Sequence, residues 1–260
     1  MESSVSIITP SYNGGKFIGK TIESVVAQSF SNWELIIVDD CSTDNSVELI
    51  QSYISRDKRI HLIRHEVNSG AAVARNTALR ATKGRYIAFL DVDDIWLPHK
   101  LTVQIDFMQR SGCTFCYSAY EQINEQGEVV GNIGVPSRVE YRELLKTCVI
   151  GCLTVVYDTE YFGKIEMPLI RRRQDFGLWL KLLKKTDFAF GIEQTLAQYR
   201  VRSDSISANK IVAAKYTWSL YRNFERLSIL VALYYFIHYA LRGFLRSKIP
   251  KLARVLGVLR

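Results

Sequence analysis

The 260-residue sequence has few cysteines, and no signal-peptide pattern is visible at its start. Its five cysteines are an odd number, which argues against a disulfide framework. The first apolar residues, 5–8, are typical of a strand and do not follow the basic start of a secretory segment. The sequence therefore predicts a cytoplasmic protein whose cysteines stay reduced.

Zinc binding is an alternative use of the cysteines, because Cys113 and Cys116 form a C-x-x-C pair and Cys148 lies close to Cys152 in sequence. The first pair belongs to "CTFCYSAY", which is typical of a buried strand, where cysteine is a common small residue. The four histidines show no spacing of metal ligands. We therefore expect buried thiols rather than a zinc site.

Two glycine-rich phosphate-binding motifs are also missing. The first predicted strand is followed by "TPSYNGGKF", which has neither the G-x-G-x-x-G spacing of dinucleotide-binding folds nor a G-x-x-x-x-G-K-[ST] loop. It also lacks the basic, glycine-rich first loop that is normal in nucleotidyltransferases. These absences argue against all three classes of nucleotide-binding protein.

Apolar strands and amphipathic helices alternate from residue 5 to residue 93. This alternation predicts an α/β fold with a doubly wound parallel sheet. Ligands of such sheets bind at the carboxyl ends of the strands. Polar residues follow three of the strands, at positions 9–12, 39–40 and 91–93, and we expect them to meet in one cleft. Further on, the sequence predicts a hairpin or edge strands with a turn near Gly127, and a helix within "RRRQDFGLWLKLLKKT".

Three carboxylates, Asp91, Asp93 and Asp94, follow the fourth strand, where they should repel one another. Asp91 and Asp93 are two residues apart, so their side chains point the same way on an extended chain. A hard divalent cation takes carboxylate ligands together with substrate phosphates, and it would make such a cluster tolerable. An acidic turn in which Asp94 caps a helix is the alternative.

The net charge of +8 is concentrated at the C-terminal end. Residues 206–260 contain ten lysines and arginines and one acid, Glu225, whereas the preceding part is almost neutral. A nearly neutral body argues against nucleic acid as a partner.

The uncharged run of residues 227–241 is fifteen residues long, and a spanning helix needs about 20. We expect amphipathic helices on the inner face of the cytoplasmic membrane; packing on the body is the alternative.

Four segments resemble the inverting family 2 glycosyltransferases of the GT-A fold. They are "VSIITPSYNGGKFIGKTIESVVAQSF", "WELIIVDDCSTDNSVELI", "NSGAAVARNTALRATKGRYIAFLDVDDIWLPHKL" and "RRRQDFGLWLKL". The resemblance covers residues 4–205 and implies a single Rossmann-like GT-A domain over residues 1–205. Residues 206–260 then form a basic helical extension that contacts the membrane.

The resemblance implies a site for a UDP-sugar donor. Pro10 and Tyr12 resemble residues that contact uracil, and Asp40 resembles the acid that accepts its N–H. Arg75, in "ARN", resembles the basic residue near the nucleotide. Asp91 resembles the first acid of the D-x-D motif, near the ribose.

Two further carboxylates have roles that the resemblance implies. Asp93 resembles the direct ligand of a divalent metal, Mn²⁺ or Mg²⁺, and Asp175 in "QDFGLW" resembles the catalytic base. Many members of the family have Glu where this chain has Gln174, which leaves Asp175 as the one acid of the segment. A plain acid at a helix N-terminus is the alternative for Asp175.

Arg171, Arg172 and Arg173 form the densest basic run of the body, which indicates contact with the pyrophosphate of a lipid-linked acceptor or an ordinary solvated loop. Arg202 is a candidate for contact with the leaving group, near the diphosphate.

The Q-x-x-R-W motif of processive synthases is missing, so transfer of one sugar is predicted.

The tail, "KIVAAKYTWSLYRNFERL", resembles a narrower set of bacterial O-antigen enzymes. It implies β1,3 transfer of glucose from UDP-glucose to an N-acetylhexosamine on undecaprenyl diphosphate. UDP-galactose or UDP-N-acetylglucosamine as donor is an alternative. A catalytically silent UDP-sugar-binding membrane scaffold is another alternative, against which the joint presence of Asp91, Asp93 and Asp175 argues.

Overall fold

The apolar segments of the N-terminal half form the parallel half of one mixed sheet in the computed structural model, which describes residues 4–202 and 210–248. The strands of the described residues are β1 (Val5–Ser11), β2 (Trp33–Asp39), β3 (Ile60–Arg64), β4 (Tyr86–Phe89), β5 (Ile95–Trp96), β6 (Phe115–Ile123), β7 (Val129–Ile133), β8 (Arg138–Val139), β9 (Val156–Asp158) and β10 (Ala189–Arg200).

Helices connect most of these strands. Those of the described residues are α1 (Ile18–Val26), α2 (Ser46–Ile54), α3 (Ala71–Ala81), α4 (Lys100–Ser111), α5 (Tyr141–Lys146), α6 (Thr159–Phe162), α7 (Gln174–Leu183), α8 (Lys210–Ser219) and α9 (Ile229–Lys248). A 3-10 turn at Cys152–Thr154 precedes β9, and a π-helical turn at Leu220–Phe224 follows α8.

The sheet has the order β3-β2-β1-β4-β9-β6-β10-β5. β3, β2, β1 and β4 are parallel, as the alternation of strands and helices predicts. Beyond β4 the sheet is mixed, because β9 lies antiparallel to both β4 and β6. The predicted hairpin is confirmed: β6 pairs antiparallel with β7 around Gly127, whose φ is 93°.

Alternate residues of the parallel strands point to opposite faces of the sheet, and each face carries its own apolar layer. On one face Ile7 and Ile37 pack with residues of α1, α2 and α4. On the other, Ile8 and Val38 pack with residues of α3, α5 and α7. The predicted α/β architecture, with helices on both faces of one central sheet, is confirmed.

The cysteines are buried or half-buried thiols, as expected. All five are free, and Cys113 and Cys116 are buried in the layer that α4 covers. Within residues 4–202 and 210–248, no group of three or more His, Cys, Asp or Glu side chains is arranged to hold a metal ion. The zinc alternative therefore finds no support in the described part of the chain.

The helical tail packs on the body of the protein. Leu220, Tyr221 and Ala232 are buried in the layer that contains α5 and α7, and the Tyr221 hydroxyl donates a hydrogen bond to the carbonyl oxygen of Leu145. Trp218 of α8 contacts Phe236 of α9 with ring centroids 5.4 Å apart. None of the described helices is long and apolar enough to cross a membrane.

Lys100, the first residue of α4, is completely buried. Its ammonium group donates a hydrogen bond to Gln104 and lies 4.1 Å from the centre of the Trp96 ring. Burial lowers the pKa of Lys100 to about 7, from an ordinary value of 10.5. Because the unfolded state then binds more protons between these two pH values, the free energy of unfolding should rise with pH across this window.

Replacing Lys100 by Met should remove that pH dependence. Between pH 7 and 9.5 the wild type should gain about 3 kcal/mol in its free energy of unfolding from this group, and Lys100→Met should gain none of it. Urea unfolding at both pH values measures the difference. Lys20→Met, which changes an exposed lysine of α1, is the control and should keep the wild-type slope. Equal slopes in Lys100→Met and the wild type would show that Lys100 is charged in the folded state.

Candidate active site

The carboxyl ends of β1, β2 and β4 meet at one edge of the sheet, as predicted. The backbone N–H of Asp40 donates a 2.8 Å hydrogen bond to the carbonyl oxygen of Ser11. The loop after β1 lies so close to the loop after β4 that a Cβ on Gly14 would come within 2.4 Å of the Val92 side chain. Gly14 therefore permits the close approach that forms the cleft.

Asp40 is buried and binds the beginning of α3. Its carboxylate accepts hydrogen bonds from the backbone N–H groups of Ser69 (2.9 Å) and Gly70 (2.7 Å). Nδ1 of His65 lies 2.7 Å from the same carboxylate, and Nε2 of His65 lies 3.1 Å from the Thr77 hydroxyl. The carboxylate thus has a favourable position at a helix N-terminus, where backbone N–H groups stabilise negative charge.

Tyr12 and Pro10 lie at the end of β1 beside this acid. Pro10 is half-buried and in register with Val38 of β2. The Tyr12 side chain directly follows β1 and is 52% exposed. An aromatic ring that is exposed at the mouth of a cleft is available for stacking on a planar base.

Arg75 connects two sides of the cleft. It is buried in α3, and its two terminal nitrogens donate hydrogen bonds to different partners: Nη2 to Asp91 and Nη1 to the side-chain oxygen of Gln174, at 2.9 Å. Burial alone would lower the pKa of Arg75, but Asp91 and, more weakly, Asp175 reverse this and raise it. The guanidinium therefore stays charged between the acid cluster and the start of α7.

The acid cluster concentrates negative charge. Burial and the repulsion of Asp91 raise the pKa of Asp93. Burial and the repulsion of Asp93 and Asp91 raise the pKa of Asp94 well above its ordinary value. Asp94 accepts a hydrogen bond from the backbone N–H of Arg200 at 2.9 Å and does not cap a helix. Its structural role is thus to join the acidic loop to β10.

The residues present fit an oxygen-ligated divalent cation. Asp93 is partly exposed, and burial and the repulsion of Asp91 raise its pKa, which is the situation in which a cation beside a carboxylate stabilises the ionised form. Two carboxylates are too few ligands to hold Mn²⁺ or Mg²⁺ alone, but these cations often take substrate phosphate oxygens and water as their other ligands.

Two arginines of the β10 end hold the acidic loop. Arg200 is buried and donates to the carbonyl oxygens of Asp93 (2.9 Å) and Asn124 (2.8 Å), which ties the loop to the β6–β7 turn. Nη1 of Arg202 lies 3.1 Å from Oδ2 of Asp93. Arg202 therefore reaches the predicted metal ligand.

Asp175 is the second residue of α7 and is half-buried. Its charge acts on Arg75 and on the buried thiol of Cys152, which also feel the charge of Asp91. The charges of the candidate base and of Asp91 thus act on one guanidinium, and of the two Asp91 has the larger effect. A carboxylate at this position has the chemistry of a general base, which must accept a proton.

The three consecutive arginines have different surroundings. Arg171 is exposed. The guanidinium of Arg172 lies 5.7 Å from the centre of the Tyr216 ring, in α8. Arg173 donates a 2.8 Å hydrogen bond to the hydroxyl of Tyr239 in α9 and has a left-handed φ of 65° just before α7 begins. Two members of the run are therefore in contact with the tail.

Comparison with known proteins identifies the family. A model described as "Glycosyl transferase family 2" matches residues 6–157, which is more than half of the chain. The chain belongs to glycosyltransferase family 2.

Several relatives of this family 2 glycosyltransferase match almost its whole length. The putative teichuronic acid biosynthesis glycosyltransferase TuaG of Bacillus subtilis is 48% identical over 237 residues, covering 91% of this chain and 94% of TuaG. The UDP-Glc:alpha-D-GlcNAc-diphosphoundecaprenol beta-1,3-glucosyltransferase WfgD of Escherichia coli is 40% identical, covering 92% of this chain and 93% of WfgD.

Solved structures share the fold of this family 2 glycosyltransferase. S. aureus TarS in complex with UDP-GlcNAc superposes with a TM-score of 0.73 at 20% identity, over 98% of this chain and 79% of that one. The mannosyltransferase PcManGT from Pyrobaculum calidifontis, in complex with GDP-Man and Mn²⁺, superposes with a TM-score of 0.69 at 15% identity, over 99% of this chain and 79% of that one. At these identities the likeness shows the fold alone.

The structure of this glycosyltransferase places three residues in the site that the sequence analysis did not assign to it. His65 follows β3, so attention to the end of every parallel strand would have found it beside Asp40. Arg200 ends β10 and lies two residues before the predicted Arg202. Gln174 was noted only as a departure from the family pattern, and its contact with Arg75 joins positions 99 residues apart.

Proposed function

We propose that the protein transfers one glucose from UDP-glucose to the N-acetylglucosamine of a diphosphoundecaprenol-linked acceptor, with a β1,3 linkage. The activity that the name of WfgD states supports this donor and acceptor, because WfgD matches over nine-tenths of both chains. WfaP of Escherichia coli, whose name states the same activity, is 41% identical over 206 residues. In this proposal residues 1–205 carry out the transfer in the assembly of a surface polysaccharide, and residues 206–260 attach the enzyme to its membrane-linked substrate.

The observation that carries the catalytic part is the position of Arg75 between Asp91 and the start of α7. It links the acid cluster to the helix that bears Asp175, so donor and base can act on one sugar. The acceptor hydroxyl gives its proton to Asp175 while its oxygen attacks C1 of the donor sugar. The bond from C1 to the phosphate oxygen breaks, and the electron pair leaves with UDP.

The residues of the donor side bind and orient UDP in this proposal. Tyr12 stacks on uracil next to Pro10, Asp40 accepts the uracil N–H, and Arg75 and Asp91 lie near the ribose and diphosphate. Asp93 would hold a divalent cation, Mn²⁺ or Mg²⁺. When bound, such a cation supplies positive charge that stabilises the diphosphate leaving group.

Basic side chains complete the proposed diphosphate sites. Arg202 lies within reach of Asp93 and is proposed to contact the leaving diphosphate. Arg171, which is exposed, and its neighbours Arg172 and Arg173 are proposed to contact the diphosphate of the acceptor. Guanidinium groups suit this task because they bind phosphate oxygens in a bidentate manner.

The experiment that tests this proposal measures UDP release from a panel of UDP-sugars. Each donor is incubated with Mn²⁺ or with EDTA, in the presence and absence of a synthetic N-acetylglucosamine-diphosphate-lipid. We expect acceptor-dependent, EDTA-sensitive release with UDP-glucose. Release with only UDP-galactose or UDP-N-acetylglucosamine would correct the donor, and tight binding of UDP without release from any donor would contradict the enzymatic proposal.

The tail is proposed to bind the inner face of the cytoplasmic membrane. Its one acid, Glu225, has a fully buried side chain that pairs with Lys184 at 2.7 Å. The charge that the tail can present to a lipid surface is therefore basic, and it favours anionic headgroups. A row of exposed apolar side chains runs along α9 at helical spacing, facing away from the body: Leu230, Leu233, Tyr234, Ile237, Leu241 and Phe244.

Placing carboxylates in this row should release the enzyme from lipid. The double variant Leu233→Glu, Ile237→Glu should bind phosphatidylglycerol-containing vesicles at least about tenfold more weakly, because two apolar groups are lost and two negative charges are added. Co-sedimentation with vesicles measures this. Val130→Glu, which changes an exposed side chain of β7, is the control. Unchanged binding of the double variant would show that α9 does not contact lipid.

A further inference from the structure

The proposed function uses the contact of Gln174 with Arg75 but gives the glutamine no role of its own, although its side chain is buried in the site. Its oxygen accepts a hydrogen bond from Nη1 of Arg75 at 2.9 Å, and its nitrogen donates one to the carbonyl oxygen of Arg171 at 3.2 Å. Both ends of the amide are therefore used. The first contact reaches α3 and the second fixes the loop that leads into α7.

These contacts form part of a continuous chain across the cleft. Asp91 binds Nη2 of Arg75, and Gln174 binds Nη1 of the same guanidinium. Because the guanidinium is planar and rigid, the direction of one contact fixes the direction of the other. The side chain of Gln174 thus joins the start of α7 to the acid cluster through one guanidinium.

The charge of residue 174 also matters, because Arg75 is the cation that the acids of this region share. Asp175 shares its electrostatic surroundings with several groups: its charge and that of Asp91 both act on Arg75 of α3, and both act, together with Asp94, on Cys152 of the 3-10 turn. A carboxylate at position 174 would compete with Asp91 for Arg75 and would stand next to Asp175. An amide gives the hydrogen bond without adding that charge.

We propose that Gln174 is a positioning residue for glycosyl transfer: it joins Arg75 to the start of α7 and so holds Asp175 in line with the donor acids. It does this as a neutral group, which leaves Arg75 bound to Asp91. This inference rests on the proposed role of Asp175 as base and adds the residue that places it.

Two variants separate the hydrogen bond from the charge. Gln174→Leu removes the acceptor at similar volume, and we expect kcat to fall about tenfold or more while KM for the UDP-sugar changes by less than about threefold, because misplacing a base weakens catalysis more than donor binding. Gln174→Glu keeps the acceptor and adds a charge. We expect it to regain most of kcat at high pH, with the acid limb of its kcat profile moved up by about half a pH unit or more.

The controls distinguish this role from a merely structural one. Gln198→Leu removes a comparable side-chain hydrogen bond, 3.0 Å long, to Glu121 in the sheet, and its kcat should stay within about twofold of the wild type. Binding of UDP to each variant shows that it is folded. A structural glutamine would lower thermal stability in both Gln174 variants and would leave the acid limb in place.

Asp175→Asn, assayed alongside, separates failure of the inference from failure of the proposed function. If Asp175→Asn is inactive, full activity of Gln174→Leu, or an unshifted acid limb in Gln174→Glu, overturns the role of Gln174 alone. If Asp175→Asn is active, the proposed base is wrong and the inference fails with it. Should Gln174→Leu fail to bind UDP, the acid limb of Gln174→Glu decides the question.

Discussion

Asp175→Asn should lose glycosyl transfer by about a thousandfold and still bind UDP as the wild type does. General-base catalysis contributes about 10²–10⁴ to a rate, and Asn has the size of Asp but accepts no proton. Arg75, on which the charge of Asp175 acts only weakly, keeps Asp91 and Gln174 as hydrogen-bond partners when Asp175 is changed. Initial rates of UDP release with saturating donor and acceptor measure the loss.

Glu48→Gln is the matched control for Asp175→Asn. Glu48 is an acid in the first turn of α2, as Asp175 is in α7. Both changes remove a favourable charge from a helix N-terminus, at a cost of about 0.5 kcal/mol in folding free energy. Only Asp175→Asn should lose transfer. If Asp175→Asn keeps more than a tenth of wild-type activity, the base lies elsewhere.

Asp93→Asn should lower the rate of glycosyl transfer by about a thousandfold. Its binding of UDP should also no longer depend on the metal. The change keeps the shape of the side chain but removes a charge from a cluster in which burial and Asp91 already disfavour ionisation of Asp93. Without that carboxylate the site attracts a divalent cation much less, and the diphosphate loses the positive charge that stabilises its departure. Calorimetric titration of UDP with and without Mn²⁺ measures the effect.

Asp106→Asn controls for the removal of an acid outside the cluster. Asp106 lies on α4 with a half-exposed side chain and a long, 3.9 Å pair with Arg110. We expect wild-type transfer and wild-type metal dependence from this variant. If Mn²⁺ tightens the binding of UDP to Asp93→Asn as much as it does to the wild type, Asp93 is not the metal ligand.

The parallel half of the sheet could be predicted because its signals are local. Each strand from β1 to β4 is an apolar run that ends in a polar group, and parallel strands put those ends on one edge. β9 gave no such signal: it has three residues, Val156–Asp158, and its antiparallel place between β4 and β6 depends on contacts distant in sequence. The pattern of one short apolar segment does not determine its direction in a sheet.

The acids of the site could likewise be predicted, whereas their connections could not. Resemblance pointed to Asp91, Asp93 and Asp175 one residue at a time. The guanidinium that joins Asp91 to Gln174 depends on how α3 and α7 pack on the same face of the sheet. Similarly, the sequence of the tail left open whether the tail packs on the body of the protein or contacts lipid. In the structure one face of α9 packs on the body and the other is exposed.

The central claim is that one displacement at C1, with Asp175 as base, joins glucose to a lipid-linked N-acetylglucosamine. The most direct test is nuclear magnetic resonance of the product formed from ¹³C-labelled UDP-glucose and a synthetic N-acetylglucosamine-diphosphate-lipid in the presence of Mn²⁺. Because UDP-glucose is an α-linked donor, we predict a β-linked glucose on O3 of the acceptor sugar. An α-linked product, or no labelled product while UDP binds tightly, would contradict the account.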